Sequence, residues 1–98
     1  MPKTVSVSKI VRTQAAGVFF GEIVTRDGSE VVMSNARRLW YWSGAASLSE
    51  LAVKGPKRPK ECKFPCPVES VVLLGVIEIL DVTPEAKLKI DQVPEWQA

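Results

Sequence analysis

The sequence predicts a mainly β (α+β) fold: a small bent antiparallel sheet or an SH3-like partly open barrel, with two short helices. Three observations carry this expectation. Apolar runs rich in β-branched and aromatic residues recur along the chain, Asp27-Gly28 stands between two of them as a hairpin signal, and two separate stretches carry helix-start signatures. At 98 residues the chain is expected to form a single domain spanning 1–98 with a thin core.

Taken in order, "TVSVSKIVRT" (Thr4 to Thr13) alternates at Val5 and Val7 and shifts phase at Ile10, which predicts a strand with an irregularity near Ser8. "AAGVFFGEIVTR" predicts a second strand from about Val18 to Thr25, and "EVVMS" the strand that returns after Asp27-Gly28. "NARRLWYWSG" continues as strand up to Gly44. Ser47, three residues before Glu50, has capping-box spacing and predicts a helix from about Leu48 to Val53. Gly55-Pro56 stops that helix. "KGPKRPKECKFPCP" holds four of the seven prolines and five Lys/Arg, and reads as an exposed, stiffened loop whose charges are solvated. "VESVVLLGVIEILDVT" is the most apolar stretch and predicts a central strand pair or one long bent strand with a bulge at Gly75. Thr83, Pro84 and Glu85 then open a second helix. Trp96 is too apolar to leave in water and is expected to dock on its own domain or a neighbour.

Charge divides unevenly. Residues 1–60 carry ten Lys/Arg against four Asp/Glu, and residues 61–98 three against seven, within a net charge of +2. Either one face is basic, or the fold interleaves the halves and the asymmetry vanishes. The longest apolar run, Val71 to Ile77, falls far short of the ~20 residues a membrane helix needs, and the N-terminus lacks a signal peptide's apolar stretch. A cytoplasmic protein without membrane attachment is expected.

No histidine is present, which removes the commonest general base and metal ligand together. Cys62 and Cys66, spaced C-x3-C, supply at most half a tetrahedral zinc site, and reduced thiols are expected. No phosphate-binding glycine loop occurs. The expectation is therefore no enzyme, no catalytic residues, no metal and no cofactor.

The strongest lead is "NARRLWYW" and the serine after it. Strand alternation would put Arg37, Leu39 and Tyr41 on one face and Arg38, Trp40 and Trp42 on the other, so large amphipathic rings point both ways. Rings beside guanidinium groups suit base stacking and bidentate phosphate contacts. Arg37, Arg38, Trp40, Tyr41, Trp42 and Ser43 are the candidate ligand-binding residues. The same residue types are also enriched at protein interfaces and fill thin cores. A core plus homo-oligomer interface, a ligand pocket at such an interface, and a single-stranded nucleic-acid surface all remain open.

"VRTQAAGVFFGEIVTRDGSEVVMSNARRLWYWSGAASLSELAVKG" and "VIEILDVT" resemble a group of short proteins encoded by tailed bacteriophages and filed as a domain of unknown function, with "ARRLWYWSGA" the most specific part. The resemblance brings no active site. It implies a small viral protein made in the cytoplasm of an infected bacterial cell, where proteins of this size often counter host defence. One such class acts as a sponge, a homo-oligomer that buries a nucleotide-derived immune signal without cleaving it. The leading expectation is thus a non-catalytic anti-defence sponge. Binding of a host or phage protein through the Arg/Trp/Tyr patch is the alternative, and single-stranded nucleic-acid binding a further one.

Overall fold

The computed structural model describes residues 8–97. Five strands, β1 (Ser8–Thr13), β2 (Val18–Asp27), β3 (Glu30–Arg38), β4 (Val68–Leu73) and β5 (Val76–Asp81), form one antiparallel sheet in the order β4-β3-β2-β1-β5. Helix α1 (Leu48–Lys54) lies between β3 and β4 in sequence, a 3₁₀ turn follows at Pro59–Glu61, and α2 (Pro84–Asp91) follows β5. This is the bent-sheet form of the expected fold. It is not closed into a barrel.

The bend follows from the connectivity. β4 and β5 occupy opposite edges of the sheet, yet only Leu74 and Gly75 separate them. Four interstrand spacings would hold the edges about 19 Å apart in a flat sheet, whereas three residue steps reach about 11 Å at most. The sheet must therefore curl until its edges approach at this corner. Gly75, at φ +72°, makes the reversal. The corner is pinned from both sides, since Gln14 N–H donates to Gly75 O and Val76 N–H donates to Ser29 O.

Bulges provide the curvature. The β2–β3 register shifts twice, between Phe20 and Glu22 and between Ile23 and Thr25. At the first shift Asn35 takes φ +49°, and its backbone crowds Gly21, where a Cβ would lie 2.9 Å from both Ser34 O and Asn35 O. Only glycine permits that approach.

Each face of the curled sheet has its own core. Ile10, Phe20 and Leu39 face the helices and pack with Leu51, Ala52, Phe64, Val82, Ala86, Ile90 and Val93. Val11, Phe19, Val31, Met33, Ala36 and Leu73 form the second cluster. Ile10 and Val11 are successive residues and both fully buried, which an open, flat, one-sided sheet would not allow.

Local signals explain the helices. Ser47 Oγ accepts from Glu50 N–H, and Glu50 Oε1 in turn accepts from Ala46 N–H, so the capping box is reciprocated. Thr83 Oγ1 accepts from Ala86 N–H and donates to Val53 O, joining the start of α2 to the end of α1.

Four expectations are corrected. The hairpin turn is centred one residue later, on Gly28-Ser29, because Asp27 pairs with Glu30 and Gly28 takes the first central position at φ +61°. "NARRLWYWSG" leaves the sheet after Arg38, and beyond it only Tyr41 makes an isolated bridge, to Lys63. β4 and β5 are edge strands, not a central pair, since β3, β2 and β1 take the interior positions. The Pro-rich segment is not merely a solvated loop, since it buries Pro56, Cys62 and Phe64. The first strand is described from Ser8, and residues 4–7 of its expected span lie outside the described residues. Charge interleaves: the β1–β5 register pairs Lys9 with Asp81 and Arg12 with Glu78 as ion pairs.

Gly21→Ala is expected to destabilise the fold by about 1–3 kcal/mol, because the backbone of Ser34 and Asn35 must shift to admit a methyl group. Urea unfolding of the variant against the parent chain measures it.

Candidate functional site

The candidate residues fall at the point where β3 ends. Up to Leu39 the strand pattern holds: Arg37 is paired across from Phe20 and Arg38 from Phe19, and these phenylalanines belong to the two different cores. The two arginines therefore point to opposite faces. They cannot grip one phosphate together.

Arg37 is a buried structural cation. Nε donates to Pro65 O at 2.9 Å, Nη2 to Phe64 O at 3.0 Å and Val93 O at 2.7 Å, and Nη1 to Ile90 O at 3.4 Å. The guanidinium also lies 5.5 Å from the centroid of the Phe64 ring. Burial pushes its pKa down, and the nearby Glu95 and Asp91 carboxylates oppose this. The side chain lines a groove of about 380 Å³ with Phe20, Asn35, Pro67, Asp91, Val93 and Glu95. Four carbonyls already occupy its donors, so little remains for a ligand.

Arg38, Trp42 and Ser43 are also engaged. The Arg38 guanidinium stacks 4.4 Å from the Phe19 centroid and donates to Ala16 O in the β1–β2 turn. Trp42 is half-buried against the helix-side core. Ser43 Oγ accepts from Arg58 Nε at 3.0 Å and donates to Glu61 Oε1 at 3.1 Å, which fastens the 3₁₀ turn. The row Arg38, Trp40, Trp42 expected from alternation does not form. Once pairing to β2 stops, Leu39 and Trp42 turn inward and the two residues between them turn out.

Those two are the exposed ones, Trp40 at 63% and Tyr41 at 51%. Tyr41 joins Lys63 in a two-way backbone bridge, its N–H donating to Lys63 O and its C=O accepting from Lys63 N–H. Phe64 in turn bridges Glu95, and Trp96 N–H donates to Phe64 O. Three short segments thus lie side by side at one end of the molecule. Phe64 points inward between them, while the Lys63 ammonium lies 5.9 Å from the Tyr41 ring centroid and 5.6 Å from that of Trp96. The result is an exposed row of ring, cation and ring, with Trp96 itself 43% exposed. Trp96 docks, as its apolar surface requires, but only in part.

Lys57, Arg58 and Lys60 precede Lys63 in the same Pro-rich segment and are exposed; Lys57 N–H donates to Gly44 O, beside Trp42 and Ser43 in the chain. Arg58 spends part of its charge on Glu61 at 3.4 Å. The exposed surface combines stacking rings with ammonium groups that have few internal partners.

Lys63 was not picked out by sequence, and Trp96 only as an aromatic expected to dock, not as a ligand contact. The signal for Lys63 lay in Cys62-Lys63-Phe64, a buried-exposed-buried alternation that the flanking prolines disguised as loop. Both cysteines are free; Cys62 is buried and Cys66 exposed. Among the described residues no group of three His, Cys, Asp or Glu is placed to hold a metal ion, and no helix is long and apolar enough to cross a membrane.

Fold and surface define the class: a small, curled five-stranded sheet protein bearing an exposed aromatic and basic end. Residues 7–90 match the model described as Domain of unknown function (DUF6948), and the chain belongs to that family. Trp96 and its neighbours lie beyond the matched residues. No curated protein and no solved structure matches the chain.

Two outcomes follow from this geometry. Arg37→Lys is expected to lower stability by about 2–4 kcal/mol, since one ammonium cannot reach the carbonyls that the guanidinium fork holds, while Arg38→Lys should cost under about 1 kcal/mol; chemical denaturation compares them. The second concerns pH. Burial raises the Cys62 pKa above its ordinary 9.0, so above that pH the unfolded chain releases a proton that the folded chain keeps. Stability should fall as pH rises past 9, and Cys62→Ala should flatten that fall in a series of melts.

Proposed function

We propose that this protein is a non-catalytic binding protein that holds a nucleotide-derived ligand on the surface formed by Tyr41, Lys63 and Trp96, with Trp40 exposed beside Tyr41 in the chain. The observation that carries the reading is the Lys63 ammonium held between two exposed rings. Ring faces can stack a base, and a cation fixed beside them can meet the attached phosphate. In the setting suggested by the likeness to short tailed-phage proteins, the ligand is a nucleotide immune signal and the activity is its sequestration in an infected bacterial cell. Arg37 and Ser43 take structural roles in this reading rather than the ligand contacts first assigned to them.

The openness of the surface favours a second reading, in which a host or phage protein docks on the same rings. Titration with cyclic dinucleotides and ADP-ribose derivatives separates the two. The expected result is a raised melting temperature that Lys63→Ala and Trp96→Ala each reduce, with the nucleotide recovered intact after heating. A cleaved product, or no shift with any nucleotide, would defeat the proposal. Binding of single-stranded oligonucleotides with an affinity that falls steeply with salt would assign the surface to nucleic acid instead.

A further inference from the structure

Two strands of the sheet have a neighbour on one side only, and the sequence treats them differently. β5 carries the devices that discourage an edge from pairing. Its register against β1 slips, with Arg12 opposite Glu78 and Thr13 opposite Val76, so Ile77 is an extra residue that bulges the strand. Glu78 and Asp81 add charge along it, held by Arg12 and Lys9. β4 has none of these devices. It follows β3 in constant register from Leu73 to Val68, contains no proline or lysine, and carries one charge, Glu69. Val68 and Val72 are nonetheless 43% and 54% exposed.

The sequence of β4 is also self-complementary. Around Ser70, Val68 and Val72 are placed symmetrically. An antiparallel copy centred on Ser70 sets Val68 opposite the second copy's Val72, twice by symmetry, and sets Glu69 opposite a valine rather than a second glutamate. Sliding by one pair toward Glu69 would put like charges face to face; sliding the other way would put Glu69 against Leu73. Pairing β4 with β5 of another copy would bring Glu69 toward Glu78 and Asp81 and would meet the bulge. We infer that β4 pairs antiparallel with β4 of a second copy about a two-fold axis at Ser70, joining five strands from each copy in one continuous sheet.

The inference stands apart from the ligand reading. Val68 is the end of β4 nearer Phe64 and Lys63 in the chain, so the two-fold axis sends the two aromatic surfaces to opposite ends of the paired sheets. Each copy keeps its own site.

Native mass spectrometry and light scattering over a dilution series should find a dimer. Val72→Lys should give a folded monomer with an unchanged circular dichroism spectrum, and Ile77→Lys, on the protected edge, should remain dimeric. In a Cys66→Ser background, Ser70→Cys should cross-link under mild oxidation and Leu74→Cys should not. A wild-type chain that is monomeric throughout overturns the inference. So does a folded Val72→Lys dimer, loss of the dimer on Ile77→Lys, or cross-linking at Leu74→Cys without Ser70→Cys. Nucleotide titration of the Val72→Lys monomer keeps the two proposals distinguishable, since its ligand response is expected to persist.

Discussion

The fold depends on one buried guanidinium. Arg37 leaves β3 and reaches carbonyls on two segments that belong to no strand of the sheet: Phe64 and Pro65 in the Pro-rich segment, and Ile90 and Val93 at the end of α2. These carbonyls lie where water is largely excluded; Phe64 O and Ile90 O each also accept a backbone N–H, from Trp96 and Val93, and the guanidinium adds a second donor to both. One planar fork answers all of them at once. Phe64, Ile90 and Val93 are also core side chains, so the polar clamp and the apolar packing against Phe20 act on the same backbone. A lysine or an apolar residue could serve one of these purposes but not both.

From that clamp the surface chemistry follows. With Phe64 held inward, Lys63 on the adjoining position must point outward, and the bridge to Glu95 brings Trp96 alongside it. Tyr41 completes the row because its backbone pairs with Lys63. The exposed rings are thus positioned by backbone bridges and a buried cation rather than by mutual packing. Their backbones are hydrogen-bonded in place while the rings stay exposed.

Much of the fold could be read from sequence because its signals are local. Ser47 and Thr83 as helix caps, Pro84 in the first turn of α2, and the hairpin near Gly28 each depend on chemistry within four residues. What escaped depends on residues far apart in the chain. "VVLLGVIEIL" has the apolar density of a central strand, but its two halves line opposite edges, and the apolar content serves two cores created by curling. The candidate site was legible in part: the stretch 37–43 does lie at the aromatic end, yet alternation could not reveal where strand pairing stops. Arg37 looked like a ligand contact because its acceptors, 27 to 56 residues away, are anonymous backbone carbonyls.

The sheet order also bears on how the chain acquires its structure during synthesis. β1 sits between β2 and β5, so Lys9 must await Asp81 before its second side is covered. Until the ribosome has made residues 76–81, the first three strands form a meander whose apolar surfaces lack both the second edge and α2. Closing that gap joins contacts some seventy residues apart, which is slow compared with forming a hairpin. Until then Ile10 and Val11 lack the cover that β5 supplies, and α2, which follows β5 in the chain, is what seals the helix-side core.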